Sequence, residues 1–212
     1  MLNALRKVVQ EVNTAASLEQ ALWLIVQRVR AEMSTQVCSI YLLDTTSQRY
    51  ILMATEGLNR DSVGKVSLGL GEGLIGLVAK REEPINLDDA ESHPQYRYFP
   101  ETGEERFRSF LGTPIIHLGK VLGVLVVQQV EERRFDESEE SFLVTLAAQL
   151  AAVIAHAEAT GSLNQVSLHG YRPPEATFQG VCGAQGVALG EVAVIYPAAD
   201  LHGVPITKTD DI

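Results

Sequence analysis

SFLGTPIIHLGKVLGVLVVQQ, residues Ser109–Gln129, holds two apolar runs, Phe110–Leu118 and Val121–Val127, joined at Gly119-Lys120. The link suits a tight hairpin, because glycine tolerates positive φ. The second run is apolar at nearly every position, as expected of a central strand covered on both faces rather than one with a wet side. Pro114 cannot donate to the ladder, so its strand lies near an edge or a bulge. A charged turn (EERRFDESEE) follows, and then a long helical segment. The stretch predicts a sheet centre with helices packed on it.

Working back toward the start, apolar positions at Leu2, Leu5, Val8, Val9, Val12, Ala16, Leu22, Ile25, Val26 and Val29 recur at intervals of mostly three and four. That period predicts an amphipathic helical segment over 1–33. Ser17-Leu18-Glu19-Gln20 reads as a capping box, with Gln20 reaching back to the Ser17 amide, so a break falls near Ala16. Val37–Asp44 and Tyr50–Glu56 read as paired strands around a polar turn, and Val63–Leu68 as a third, weaker strand. Pro84–Leu87 is a short apolar strand. Asp88–Gly103 has mixed charge, three aromatics and two prolines without a period, the composition of a loop packed over a scaffold.

Gly71, Gly73 and Gly76 form a formal GxGxxG. A dinucleotide fingerprint needs a βαβ unit around it, whereas here a meander precedes and a short helix stopped before Pro84 follows. The glycines read as a turn into a helix. Beyond the hairpin, Asp136 is suited to cap a helix over 136–159, and Glu137, Glu139 and Glu140 suit its N-terminal dipole. The alanines of that helix permit close approach of another helix. Gly161–Thr177 reads as a polar, Pro-Pro-containing linker. Phe178–Pro197 reads as two short strands around a Gly-rich turn, too little chain to bury a core of its own.

The chain has 212 residues, 46% hydrophobic and 21% charged, enough for a sizeable core. A net charge of −10 opposes sequence-independent nucleic-acid binding. Cys38 and Cys182 make no metal or redox spacing. No charged leader followed by an apolar stretch opens the chain, and Phe142–Ala157, interrupted by Gln149 and His156, falls short of the ~20 residues that span a bilayer. A soluble cytoplasmic protein is expected, with no membrane partner.

Residues 1–160 resemble a GAF domain, chiefly through GEGLIGLVAKREEPINLDDA and RSFLGTPIIHLGKVLGVLVVQ. The tail GVCGAQGVALGEVAVI resembles the opening strands of enzyme I of the phosphotransferase system, with Ala184-Gln185-Gly186 where that family commonly has Ser-Pro-Gly. Together they resemble the layout of the nitrogen-related enzyme I family, phosphoenolpyruvate–protein phosphotransferases. The resemblance implies an α+β fold, an antiparallel sheet with helices on both faces, over 1–160. A linker over 161–177 and an incomplete enzyme I start over 178–212, a short truncated extension, would follow.

By that resemblance the segment is a sensory domain governing a kinase-like enzyme. His93, His117, His156, His169 and His202 lack the Gly-Gly-x-Thr-Ser-His setting of enzyme I's phosphorylated histidine. No phosphoryl transfer is therefore expected of the segment, nor any cofactor, while the whole enzyme is expected to use Mg2+ and a phosphocarrier protein. The loop has no cysteine for a bilin, and Cys38 alone does not match the several cysteines of sulfoxide-reducing relatives.

The implied pocket lies between the sheet, the helix starting near Glu72 and the 88–103 loop. Its expected ligand residues are Ser39, Tyr41, Asp88, Tyr96, Phe99, Arg108, Ser109 and Gln128, with Arg108 suited to grip a carboxylate bidentately. The expected effector is a nitrogen metabolite, glutamine or 2-oxoglutarate. The alternative reading is a dimerisation scaffold without ligand. A parallel homodimer through helices 1–33 and 136–159 is expected, with Leu150 and Val153 as reporters of the interface.

Overall fold

The structure is a computed structural model that describes residues 2–160; the expected linker and enzyme I start lie outside the described residues. Six strands form one antiparallel sheet in the order β3-β2-β1-β6-β5-β4. They are β1 (Val37–Asp44), β2 (Arg49–Glu56), β3 (Ser67–Gly69), β4 (Ile85–Leu87), β5 (Ser109–His117) and β6 (Lys120–Gln129). The helices are α1 (Leu2–Asn13), α2 (Leu18–Glu32), α3 (Gly73–Arg81) and α4 (Glu137–Ala159).

β6 pairs with β1 on one side and β5 on the other, so the apolar run is the sheet centre. Alternate side chains of a strand face opposite ways, and β6 divides accordingly. Leu125 and Val127 join the core under α1, α2 and α4, whereas Val124 and Val126 join the core under α3. The α+β expectation, an antiparallel sheet with helices on both faces, is met.

The hairpin turn is displaced by one residue from the expected Gly119-Lys120. His117 pairs with Lys120, so Leu118 and Gly119 form the turn, both at positive φ (48° and 73°). A two-residue hairpin matching strand twist needs positive φ at both positions. Leu118 accepts it at 90% exposure, with nothing to pack against. Pro114 sits where β5 has no outer neighbour, because β4 reaches only to Gly112, and a bulge follows at Ile115/Ile116.

The third strand is also shorter than expected. A 3-10 turn, Arg60–Ser62, precedes the expected run and Gly64 at φ 74° breaks it, so that β3 is confined to Ser67–Gly69. At the break before α2, Ser17 caps Gln20 N–H, but Gln20 Oε1 accepts from Ala16 N–H (2.8 Å), one residue earlier than the expected Ser17 amide. α4 has a full capping box between Asp136 and Glu139.

α4 runs 23 residues, longer than the expected apolar window, and by length and composition alone could cross a membrane. One face instead packs on the sheet through Phe142, Leu143, Leu146, Leu150 and Ile154, all buried. Leu150, at 1% exposure, therefore belongs to this chain's own core, and charging it would unfold the domain rather than report on a dimer.

The glycine motif serves packing. A Cβ on Gly76 would lie 2.5–2.7 Å from the backbone of Gly71, so the turn before α3 rests directly on its first helical residues. Gly76→Ala is expected to cost about 2 kcal/mol, as overpacking of a tight contact does. Lys80→Ala, exposed on the same helix, should cost less than about 0.5 kcal/mol. Urea unfolding of both variants checks the difference.

Candidate functional site

α3 covers only part of its face of the sheet, and the irregular segment 88–108 covers the rest. A cavity of about 30 Å³ lies beneath, lined by Leu68 of β3, Leu74 and Ile75 of α3, and Tyr41, Phe110, Val126 and Gln128 of the sheet. Tyr96, Arg97, Phe99 and Glu104 close it from the loop. The base is apolar, and the polar groups converge from the sheet and the loop, the arrangement of a small-molecule site.

The loop is held in place by backbone. Ala90 N–H donates to Arg108 O (2.7 Å), and Thr102 N–H to Phe99 O (3.0 Å). Asn59 ties it to the turn after β2, through its N–H to Thr102 O (3.0 Å) and its side-chain amide to Glu101 O (3.2 Å). Arg97 is drawn to Glu72 at 3.2 Å, and Glu72 also accepts from Gly69 N–H (2.8 Å). Those contacts, the Gly69 hydrogen bond foremost, hold the Glu72 carboxyl below its usual range.

Glu104 is the group with unusual chemistry. It is only 9% exposed, and Oε1 accepts from Phe99 N–H at 3.4 Å. Burial pushes its carboxyl up to about 7, although hydrogen bonds from Phe99, Gln128 and Thr102 pull the other way. Burial, and then the charge of Glu104, also push the Tyr41 phenol upward and that of Tyr96 up to about 12. Both tyrosines therefore remain hydroxyl donors at any ordinary pH.

Of the residues expected from sequence, Tyr41, Tyr96, Phe99 and Gln128 line the cavity. The other four do not. Ser39 faces the same side of the sheet as Tyr41, but its hydroxyl is paired with that of Thr55 at 2.8 Å. Asp88 is well exposed, 3.9 Å from Arg134. Arg108 lies at the loop's base among Asp89 (3.0 Å), Glu91 (3.6 Å) and Glu132 (3.7 Å), which already occupy its guanidinium. Ser109 Oγ accepts from Arg133 N–H (2.9 Å) and lies within reach of the Glu131, Arg133 and Asp88 carbonyls.

Glu104, Arg97 and Phe110 were not expected. In sequence Glu104-Glu105 looks like solvated loop, and Phe110 merely continues a strand. Cys38 is buried in the opposite core, and burial raises its thiol far from reactivity. Neither His93, which accepts from Gln95 N–H, nor His117 at the hairpin tip lines the cavity. Among the described residues no group of three His, Cys, Asp or Glu side chains is placed to hold a metal ion.

A network leads away from the loop's base. Arg133, whose backbone meets Ser109, forms a bidentate pair with Glu139 (2.8 Å each), and Glu139 accepts from Asp136 N–H at the start of α4. Asn86 of β4 brackets Phe135 from both sides, donating to its O (2.8 Å) and accepting from its N–H (3.1 Å).

The family model for the GAF domain matches residues 15–155. The solved GAF domain of a phosphoenolpyruvate–protein phosphotransferase from Coxiella burnetii is 55% identical, with a TM-score of 0.74 over 76% of this chain and 96% of that one. The corresponding domain from Acinetobacter is 51% identical, with a TM-score of 0.69 over the same shares. A phosphoenolpyruvate-dependent phosphotransferase system protein of Escherichia coli K12 is 47% identical over 191 residues, 90% of this chain and 25% of that protein. The chain spans about a quarter of the length of the curated relatives it matches.

The state of Glu104 has a measurable consequence. Its carboxyl titrates near 7 when folded, above the ordinary 4.5, so between those values the folded state binds the extra proton. Its contribution is complete below about 4.5 and is lost as pH rises through about 7, for a total on the order of 3 kcal/mol. Urea unfolding across this range should show Glu104→Gln gaining on the wild type as pH rises, and most stable relative to it near pH 8.

Proposed function

The chain belongs to the GAF domain family, and from that premise we propose that it is the regulatory domain of a phosphoenolpyruvate–protein phosphotransferase, sensing a small molecule in the cavity beside Tyr41, Glu104 and Gln128. The observation that carries this reading is the cavity itself, an apolar base ringed by polar groups from sheet and loop, in a chain 55% identical to a GAF domain of such an enzyme. The whole enzyme would work in the cytoplasm with Mg2+ and a phosphocarrier protein, and the effector would report nitrogen status, with glutamine and 2-oxoglutarate as the first candidates.

An effector regulates only if it prefers one conformation over another. The loop–Ser109–Arg133–Glu139–α4 connection provides a route by which a displaced loop shifts the start of α4. α4 would then carry the change toward the catalytic domains. A dimerisation role is the second reading. It rests on the outward side of α4, where Val144, Ala148 and Ala152 are exposed and small enough for a close helix–helix approach.

Calorimetry with amino acids, 2-oxo acids and cyclic nucleotides tests the sensing role. Binding at millimolar concentration or tighter is expected, and silence from every probe would refute it. Hydrogen exchange should show altered protection over residues 144–160 on binding, as well as in the loop. Arg133→Met should retain binding while shrinking the α4 response, and a response confined to the loop in the wild type would sever α4 from the mechanism. Light scattering of the Ala152→Glu variant addresses the second reading: a dimer that becomes a folded monomer supports it.

A further inference from the structure

The cavity of about 30 Å³ has room for a few waters, whereas sites for small molecules run to about 300 Å³ or more. A wall must therefore move before anything larger enters, and most of the walls are fixed. Tyr41, Phe110, Val126 and Gln128 stand on the sheet, and Leu74 and Ile75 on α3. On the loop side, Phe99 and Glu104 belong to a pinned stretch. Thr102 N–H and its hydroxyl both donate to Phe99 O (3.0 and 2.7 Å), while Asn59 holds the carbonyls of Thr102 and Glu101.

Residues 91–98 are held differently. They leave the loop's base at Ala90, which is fully buried and donates to Arg108 O (2.7 Å), and rejoin the pinned stretch at Phe99. Between those points the backbone bonds locally, His93 N–H to Ala90 O (3.1 Å) and Tyr96 N–H to His93 O (2.8 Å). The Tyr98 hydroxyl donates to Glu105 (3.0 Å), still within the loop. Among the described residues, one polar tie leads from 91–98 to a residue outside the loop, Arg97 to Glu72 at 3.2 Å.

Glu72 is built to receive that tie. It occupies the N-cap position of α3, yet its side chain makes no hydrogen bond to the helix. Oε2 instead accepts from Gly69 N–H (2.8 Å) and lies 3.7 Å from Arg49, which is itself fixed by donating to Ser67 Oγ and Ser67 O (2.8 Å each). Oε1 is left for Arg97. A Cβ on Gly73 would come within 3.4 Å of Arg97 Cβ, so the first residue of α3 is a bare seat for the Arg97 stem. The guanidinium is mostly exposed, and a pair open to water holds weakly and reversibly.

We infer that residues 91–98 form a hinged flap over the cavity, with Glu72 as the fixed post to which Arg97 latches it shut. The purpose of the flap rests on the sensing role proposed above. The hinges are Ala90 and Phe99, where the buried base and the Asn59-held stretch begin. Opening lifts Tyr96 and Arg97 from the mouth and leaves the Phe99–Glu104 wall in place. The latch is weak enough to open without unfolding the domain, and a salt bridge of this exposure shifts the open population about threefold.

The experiment measures opening directly, on the 212-residue chain carrying Ile75→Cys as a thiol inside the cavity and Cys182→Ser to remove a competing one. Cys38 is buried in the opposite core and stays silent. The probe is 4,4′-dithiodipyridine, an uncharged disulfide too large for the closed cavity, and a thermal melt verifies that each variant is folded. Glu72→Gln, which keeps the bond to Gly69 N–H, and Arg97→Met should each speed labelling about threefold. The double variant should be no faster than either alone, because both remove the same pair. Raising NaCl from 0.05 M to 1 M, where the screening length falls to about 3 Å, should speed the parent about threefold and the variants little. Rates unchanged by either substitution, or multiplied in the double variant, would overturn the latch. A labelling rate that climbs with urea as steeply as global unfolding does would show that the thiol is reached only by unfolding, and would overturn the flap. No effector enters the measurement, so the flap can fail while calorimetry still detects binding, and calorimetry can stay silent while the flap opens.

Discussion

Strand β6 hydrogen-bonds to a neighbour along each edge and is apolar on both faces, and the rest of the domain answers that requirement. Leaving a Val or Leu side chain exposed instead of buried forfeits about 1.5–3 kcal/mol, so both faces must be roofed. At about 1.5 Å per residue α4 is about 35 Å long, matching the roughly 34 Å of a ten-residue strand, and with α1 and α2 it seals one face. α3, with nine residues, reaches only about 14 Å. The other face is therefore finished by an irregular loop, and irregular cover is what leaves a cavity with polar groups directed inward.

The loop treats its charges in two opposite ways. At its base Arg108 gathers three carboxylates in water-accessible positions, where each pair contributes well under about 1 kcal/mol and the benefit is a fixed geometry for the segment's ends. Beneath the loop Glu104 is withheld from solvent, and among the described residues it forms no ion pair. The base holds its charges in fixed pairs, whereas the cavity keeps its carboxylate apart from them.

The same base joins the site to α4. Ser109 opens β5, yet its hydroxyl is spent on the 131–133 turn, and Arg133 in that turn grips the capping residue Glu139. Glu139 loses solvent but gains two charge-assisted bonds, which hold its carboxyl below the usual range. The cap of α4 is thereby bound to the strand that carries the loop.

The strand pattern of 37–56 and 109–129, the N-cap at Asp136 and the glycine turn into α3 were legible in the sequence, because each depends on neighbours within a few residues. The hairpin turn was misplaced by one residue, since Leu118-Gly119 and Gly119-Lys120 are both chemically acceptable and only the pairing of His117 with Lys120 chooses between them. Tyr41 and Gln128 could be assigned to one sheet face by alternation, and Tyr96 and Phe99 follow from an aromatic-rich loop. Ser39, Asp88, Arg108 and Ser109 looked equally available, but each has partners contributed by distant segments. Glu104 was invisible for the same reason in reverse. Its burial arises where an aperiodic loop meets α3 and β6, and no local pattern records whether a carboxylate in such a loop will meet water or a wall of aromatic rings.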